Sequence, residues 1–221
     1  MLTVHHLNNS RSQRVLWLLE ELGVPYEIKH YQRDAKTMLA PPELKAVHPL
    51  GKSPVITDGD ITVAETGAIV EYILETYGAG RLVPPAGTAD KRAYTHWLHF
   101  AEGSAMPPLL MKLVFGVLPE RAPALLKPIV KGISAKAQTG FVDPQLKAQQ
   151  AYWEDTLSRS EWFAGPEFTA ADVMMSFPLE AAASRAPFGP DKPKLTAFLK
   201  RIHARPAYQR ALERGGPYAY A

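Results

Sequence analysis

Near residue 80 the chain changes character once, and that change constrains the fold more than any single motif does. Before it, short alternating segments and amphipathic helices take turns; after it, strand signals nearly disappear. Leu2 to His6 reads as a strand, Ser12 to Leu22 as a helix and Tyr26 to Tyr31 as a second strand. Val15, Leu18, Leu19 and Leu22 fall at i, i+3, i+4 and i+7, giving the helix one apolar stripe, and Gly23 with Pro25 ends it. Strand, helix, strand in that order make a βαβ unit with parallel strands.

Val55 to Thr57 and Ile61 to Val63 flank Asp58-Gly59-Asp60, a turn former that brings two short strands together antiparallel. A short irregular helix near Pro42 to Val47 precedes them, and a helix from about Glu65 to Tyr77 follows, with Ile69, Val70, Ile73 and Tyr77 facing inward. The order βαβ-α-ββα is that of an α/β thioredoxin-like domain over residues 1–78. Residues 79–87 carry paired prolines and glycines that cannot continue a helix and read as a linker. Thr88 to about Val117, Asp143 to Arg159, Thr169 to about Arg185 and Lys192 to Arg214, broken at Pro206, read as helices, so residues 88–221 form an all-α bundle. Pro119 to Gly140 stays open between a helix-breaking insertion and a flap. One helix start is well marked: Thr169 caps the first turn, Asp172 reaches back, and Phe168 packs on Val173 as a staple.

The 221 residues are 46% hydrophobic and 21% charged, the balance of a globular chain and not of a disordered one. A net charge of +3, with no run of like charge, argues against nucleic acid as a partner. The apolar runs VLWLLEELGV and LLMKLVFGVL are each cut by a charge or a glycine, and the N-terminus lacks the pattern of a signal peptide, so no membrane partner and a cytoplasmic location are expected. Zero cysteines exclude disulfides, thiolate metal ligands and a protein thiol as nucleophile, which removes a thioredoxin-type oxidoreductase from contention. The seven histidines show no ligand-spaced cluster, and no metal site is expected.

SRSQRVLWLLEELGVPYE, HPLGKSPV, ETGAIVEYI and FTAADVMMSFPLE, in this order and spacing, resemble the soluble glutathione S-transferases. The resemblance covers essentially the whole chain, and FVDPQLKAQQAYWEDTL followed by FTAADVMMSFPLE is most like a branch shared by fungi and bacteria. It implies a homodimer that takes glutathione as co-substrate, needs no cofactor, and turns the thiol into a thiolate that attacks a small apolar electrophile or reduces an organic peroxide.

The resemblance also implies a glutathione grip. Lys52 supplies a cation for the glycyl carboxylate. Pro54 matches the fold's cis-proline, which turns the Ser53 backbone toward the cysteinyl residue like an added strand. Glu65 and Thr66 meet the γ-glutamyl end, the helix-start N–H groups and the Thr66 hydroxyl taking its carboxylate and Glu65 its ammonium. The alternative for this pair is an ordinary helix cap.

A free thiol titrates near pH ~8.5, so something must favour the thiolate. In LNNSRSQR the family's catalytic serine or cysteine position falls on Asn9, with Ser10 next and Ser12 two further on. Ser10 is preferred, because a hydroxyl can give its only proton to sulfur whereas asparagine at a helix start is often committed to capping; Ser12 reads as a cap, and the backbone N–H groups of the helix start are the remaining candidate. Leu7, Met106, Leu109 and Phe115 are candidates for the electrophile pocket, and Glu102 for a contact with the partner subunit's ligand. The rival reading is a non-catalytic glutathione-binding or protein-interaction module on the same fold.

Overall fold

Strand β1 (Leu2–Leu7) buries residues on both its faces, which is the pattern of a central strand, and in the computed structural model, which describes residues 1–220, it is one. It pairs parallel with β2 (Glu27–Tyr31) on one side and antiparallel with β3 (Val55–Asp58) on the other. β4 (Ile61–Ala64) closes the order β2-β1-β3-β4. Gly59, at φ 58°, lets the hairpin turn in two residues between Asp58 and Ile61.

Helix α1 (Ser12–Leu22) ends at Gly23, which sits in the left-handed region at φ 64°. Its expected stripe is buried, yet Leu16, Trp17 and Arg14 are buried too, because the face turned away from the sheet is covered by the second domain. α2 (Glu43–Val47) is short, and its Leu44 packs on Leu7 and Tyr31 on one side of the sheet. α3 (Thr66–Tyr77) buries Ile69, Val70 and Ile73, whereas Tyr77 is only half-buried: its hydroxyl donates to the Asp58 carboxylate, as does that of Tyr72. Leu82 and Val83 pack on the main core between the domains, and the Leu82 carbonyl takes the Ala170 N–H at 3.0 Å.

The second domain opens with α4 (Ala89–Phe100), a π-helical turn over Ala101–Ala105, and α5 (Met106–Arg121), which run on as one rod. An 18-residue window of this 33-residue rod reaches a mean hydropathy of 1.2, apolar enough to cross a membrane by length and composition alone, as core helices also do. Here it buries Tyr94, Trp97, Leu98, Met106 and Leu109 in the bundle. Pro119 to Gly140 is helical: a break at Ala122 and Pro123, then α6 (Lys127–Ala137), which merges through a second π turn into α7 (Asp143–Arg159).

Helix α8 (Ala170–Arg185) is buried from Ala170 to Ala182 and forms the bundle's axis. Its capping box is formed: Asp172 Oδ2 accepts the Thr169 N–H at 2.9 Å, and Oδ1 accepts the Phe163 N–H at 2.8 Å. Phe168 stacks near Trp17 and Trp162, which ties this helix start to α1. α9 (Pro193–His203) and α10 (Pro206–Gly215) follow, and Pro217 to Tyr220 then folds back over the junction of the domains.

Candidate functional site

The loop from Asn8 to Arg11 joins the end of β1 to α1. Asn9 holds φ 49°, a conformation that asparagine tolerates better than most residues. Neither of the capping roles expected here is realised by the residue proposed for it. Ser12 is the first residue of α1; its own N–H is taken by Ser10 Oγ at 3.3 Å, so Ser10 does the cap-like work. Ser10 Oγ also lies 2.7 Å from Ser12 Oγ, which lies 2.9 Å from His6 Nδ1, all three side chains being buried.

His6 closes that chain at its inner end. Burial first, then neighbouring His30, pushes its pKa down to about 4, while a backbone hydrogen bond at Gly215 acts the other way. At neutral pH the ring is uncharged and has one N–H. That N–H decides the direction of the contact: Nδ1 either accepts the Ser12 proton or donates to Ser12 Oγ, whose own proton then has the Leu7 carbonyl at 3.5 Å. The Ser10 hydroxyl thus has a buried partner within the protein, Ser12 Oγ at 2.7 Å, and either hydroxyl can be the donor.

Asn9 is placed otherwise. Its Oδ1 accepts the Ala219 N–H at 2.8 Å, which fixes the amide oxygen on that side and leaves the NH2 group as the outward donor. Asn9 therefore does no helix capping.

Of the expected grip, Lys52 is exposed at the entry to β3, and Ser53 donates its hydroxyl to the His5 carbonyl at 2.9 Å. The Ser53–Pro54 bond is cis. Glu65 takes the N-cap position of α3 without using its side chain as a cap, and it holds φ 71°, ψ 128°. A non-glycine residue there is strained by about 1–3 kcal/mol, the kind of outlier that collects at functional sites. Thr66 is buried at the mouth of α3, where Arg14 Nη2 approaches its hydroxyl oxygen at 3.5 Å.

Arg14 and Arg11 were missed at the sequence level. Arg14, only 1% exposed, donates to the Met174 carbonyl at 2.6 Å and to the Glu102 carboxylate. Arg11 Nε stands 3.3 Å from the other Glu102 oxygen. Burial works to raise the Glu102 pKa, but Arg14 and Arg11 outweigh it and hold the carboxyl below its ordinary value. Glu102 thus faces the first domain of its own chain. Arg11, at the N-cap of α1, and Arg14 in its first turn are three residues apart; that two cations so spaced need a buried anion was the available signal.

The expected electrophile residues do not all come together. Leu7 packs with Tyr31 and Leu44 in a cluster separate from the main core, because α2 covers its side of the sheet. Met106 and Leu109 lie in the main core and Phe115 is packed half-buried against it. Leu109 is linked instead to Tyr220, through Arg185. The Tyr220 ring meets Phe177 edge-on at 5.5 Å, and Arg185 bridges the Leu109 carbonyl at 3.3 Å and the Tyr220 hydroxyl at 3.0 Å. Behind the loop, His6, Asn9, His30, Tyr31 and Gly215 line a cavity of ≈ 110 Å³.

A four-stranded mixed sheet of the thioredoxin-like order, a cis-proline entering β3 and a helical domain closing over the β1–α1 loop define the class: a two-domain protein with a thioredoxin-like first domain. Residues 1–75 match the family model described as glutathione S-transferase, N-terminal domain, and residues 125–214 match the glutathione S-transferase, C-terminal domain. The chain is 35% identical to glutathione S-transferase 3 of Schizosaccharomyces pombe, over 97% of its own length and 88% of the relative's. A crystal structure of a glutathione S-transferase from Actinobacillus pleuropneumoniae superposes with a TM-score of 0.78 at 33% identity, covering 100% of this chain and 95% of that one. A sphingomonad glutathione S-transferase complexed with glutathione shares the fold, with a TM-score of 0.71 at 24% identity over 97% of this chain and 98% of that one. The chain belongs to the glutathione S-transferase family, with relatives in fungi and bacteria.

Proposed function

We propose that this enzyme lays glutathione across the mouth of α3 and the entry to β3, and activates its thiol with the Asn9 amide and the N-terminal end of α1. Lys52 takes the glycyl carboxylate, the Ser53 backbone pairs with the cysteinyl residue, and Glu65 and Thr66 take the γ-glutamyl end. The thiolate attacks an apolar electrophile bounded by Met106, Leu109 and Phe177, or the O–O bond of an organic peroxide. No metal or organic cofactor takes part in this reading, and the location remains cytoplasmic.

The observation that carries the choice of donor is the engagement of Asn9: its oxygen accepts the Ala219 N–H and its NH2 is left outward, whereas the Ser10 hydroxyl has Ser12 Oγ as a partner inside the protein at 2.7 Å. The preference for Ser10 that the sequence suggests is reversed on this ground. Asn9→Ala should raise the pKa of bound glutathione by about one to two units, the value of one hydrogen bond to a charged group, while Ser10→Ala leaves it near wild type. Thiolate absorbance against pH reads this directly. A shift with Ser10→Ala alone rejects the assignment, and glutathione binding without any lowering of the thiol pKa in the wild type would favour a non-catalytic binding module.

Lys52→Ala should weaken glutathione binding by about 1.5 kcal/mol, roughly tenfold and at the low end for a charge-assisted hydrogen bond because the lysine stays exposed. Calorimetric titration measures it; unchanged affinity in a folded variant removes Lys52 from the grip.

A homodimer belongs to the same reading. What supports it is the apolar surface left open on α5 and α6, where Leu110, Val114, Val117, Ile129 and Ile133 are each at least 40% exposed. Sedimentation at micromolar concentration should give twice the 24.4 kDa chain mass, and a clean monomer would set the dimer aside.

A further inference from the structure

We propose that the C-terminal segment Pro217 to Tyr220 is a working part of the thiol site: as a strap across the domain junction, it holds the Asn9 amide with its NH2 end toward sulfur through the Ala219 N–H. This rests on the reading of Asn9 as the thiol's donor and adds a second residue, 210 positions away in the chain, that makes Asn9 competent.

The physical need is specific. An asparagine amide presents an acceptor or a pair of donors depending on a half-turn about its last bond, and its two ends are nearly equal in size. With the oxygen toward the ligand, Asn9 would repel a thiolate. Only a donor held on the oxygen's far side selects the useful orientation, and the Ala219 N–H at 2.8 Å is such a donor.

The strap is anchored on both sides of Ala219. Gly216, at φ 83°, turns the chain sharply out of α10, a conformation that favours glycine. Tyr218 donates its hydroxyl to Glu180 Oε2 at 2.6 Å; Glu180, buried on α8, also accepts from Tyr208 at 2.7 Å and meets His203 at 3.2 Å. Tyr220 lies edge-on to Phe177 and is held by Arg185. Two tethered tyrosines thus leave the intervening peptide little freedom. Ala219 itself is exposed and touches the first domain by its backbone, so the contact is a directed hydrogen bond and not a by-product of apolar packing.

Ala219→Pro deletes the N–H and Ala219→Gly keeps it. The charged and titratable groups around the spot, Arg11, Arg14 and Glu102 on one side, Glu180 and Arg185 on α8, and His6 and His30 on the sheet, are altered by neither. In the full chain, Ala219→Pro should raise the pKa of bound glutathione by about one unit and lower kcat roughly tenfold, with glutathione affinity within about twofold of wild type. Ala219→Gly should match wild type. Equal shifts in both variants would mean general loosening and would overturn the proposal, as would a wild-type titration for Ala219→Pro beside a shifted one for Asn9→Ala. If Asn9→Ala itself moves nothing, the donor assignment falls first and the strap's role with it. Should Ala219→Pro fail to fold, Tyr218→Phe carries the test by loosening the strap without touching the backbone: a partial rise in the thiol pKa is expected, and none overturns the proposal.

Discussion

Asp172→Ala should destabilise the enzyme by about 2–6 kcal/mol, because it leaves two buried backbone N–H groups unpaired at about 1–3 each, one of them the capping contact at Thr169. The two groups are those of Thr169 and Phe163, both within 3 Å of the carboxylate, and Asp172 has no exposed surface. The damage lands on α8, the axis on which α4, α1 and α9 pack, so unfolding should stay cooperative and simply move to lower denaturant. Urea unfolding followed by tryptophan fluorescence measures it, and a loss below about 1 kcal/mol would show that water replaces the carboxylate.

The same residue imposes a pH dependence. Burial raises the Asp172 pKa from 3.8 to about 7, with the hydrogen bonds from Phe163 and Thr169 pulling against it. A raised folded-state pKa means that the native protein holds a proton the unfolded chain has already released. This group's contribution is therefore complete below about pH 4 and fades as pH climbs toward 7. Across that window its slope approaches 1.4 kcal/mol per pH unit, a slope that Asp172→Asn should lack.

How far such elements could be read beforehand depends on whether their cause is local. Ser12 to Leu22 shows itself through apolar spacing and Gly23; the hairpin through Gly59; the capping box through Thr169 and Asp172, all within a few residues of one another. α6 hid behind punctuation. Pro128 lies in its first turn, where no N–H is required, and Pro119 in the last turn of α5, yet both look like loop residues in a linear pattern. Leu7 was assigned to the wrong surroundings because strand alternation says that a residue faces one side without saying which helix covers that side. The strap was out of reach altogether, since nothing around Tyr218 announces a partner on α8 or in the β1–α1 loop. Asn9 and Ser10 could be named as rivals from their position; the groups that meet each side chain, Ala219 for one and Ser12 for the other, lie beyond what position alone can tell.

Arg14 is the hardest case, a cation on an amphipathic helix that reads as solvated and is in fact buried. Its guanidinium links the two domains: Thr66 on α3, the Met174 carbonyl on α8 and Glu102 between α4 and α5. Glu102→Ala takes away the only full negative charge among these partners. Breaking a buried ion pair from one side costs about 3–5 kcal/mol, and since the Glu102 side chain is 28% exposed and Arg14 keeps the Met174 carbonyl, about 2–4 kcal/mol is expected here. The pH signature is opposite to that of Asp172. Because the arginines outweigh burial and hold the Glu102 carboxyl below its ordinary 4.5, its contribution is present above that value and disappears as pH falls through the folded-state pKa. The stability gap between wild type and Glu102→Gln should accordingly be full at pH 7 and close under strongly acidic conditions. An arginine released from Glu102 also presses its charge on the site from a new direction, so glutathione affinity should change together with stability. A variant that loses stability but binds glutathione as wild type does would assign the Arg14–Glu102 pair to domain docking alone.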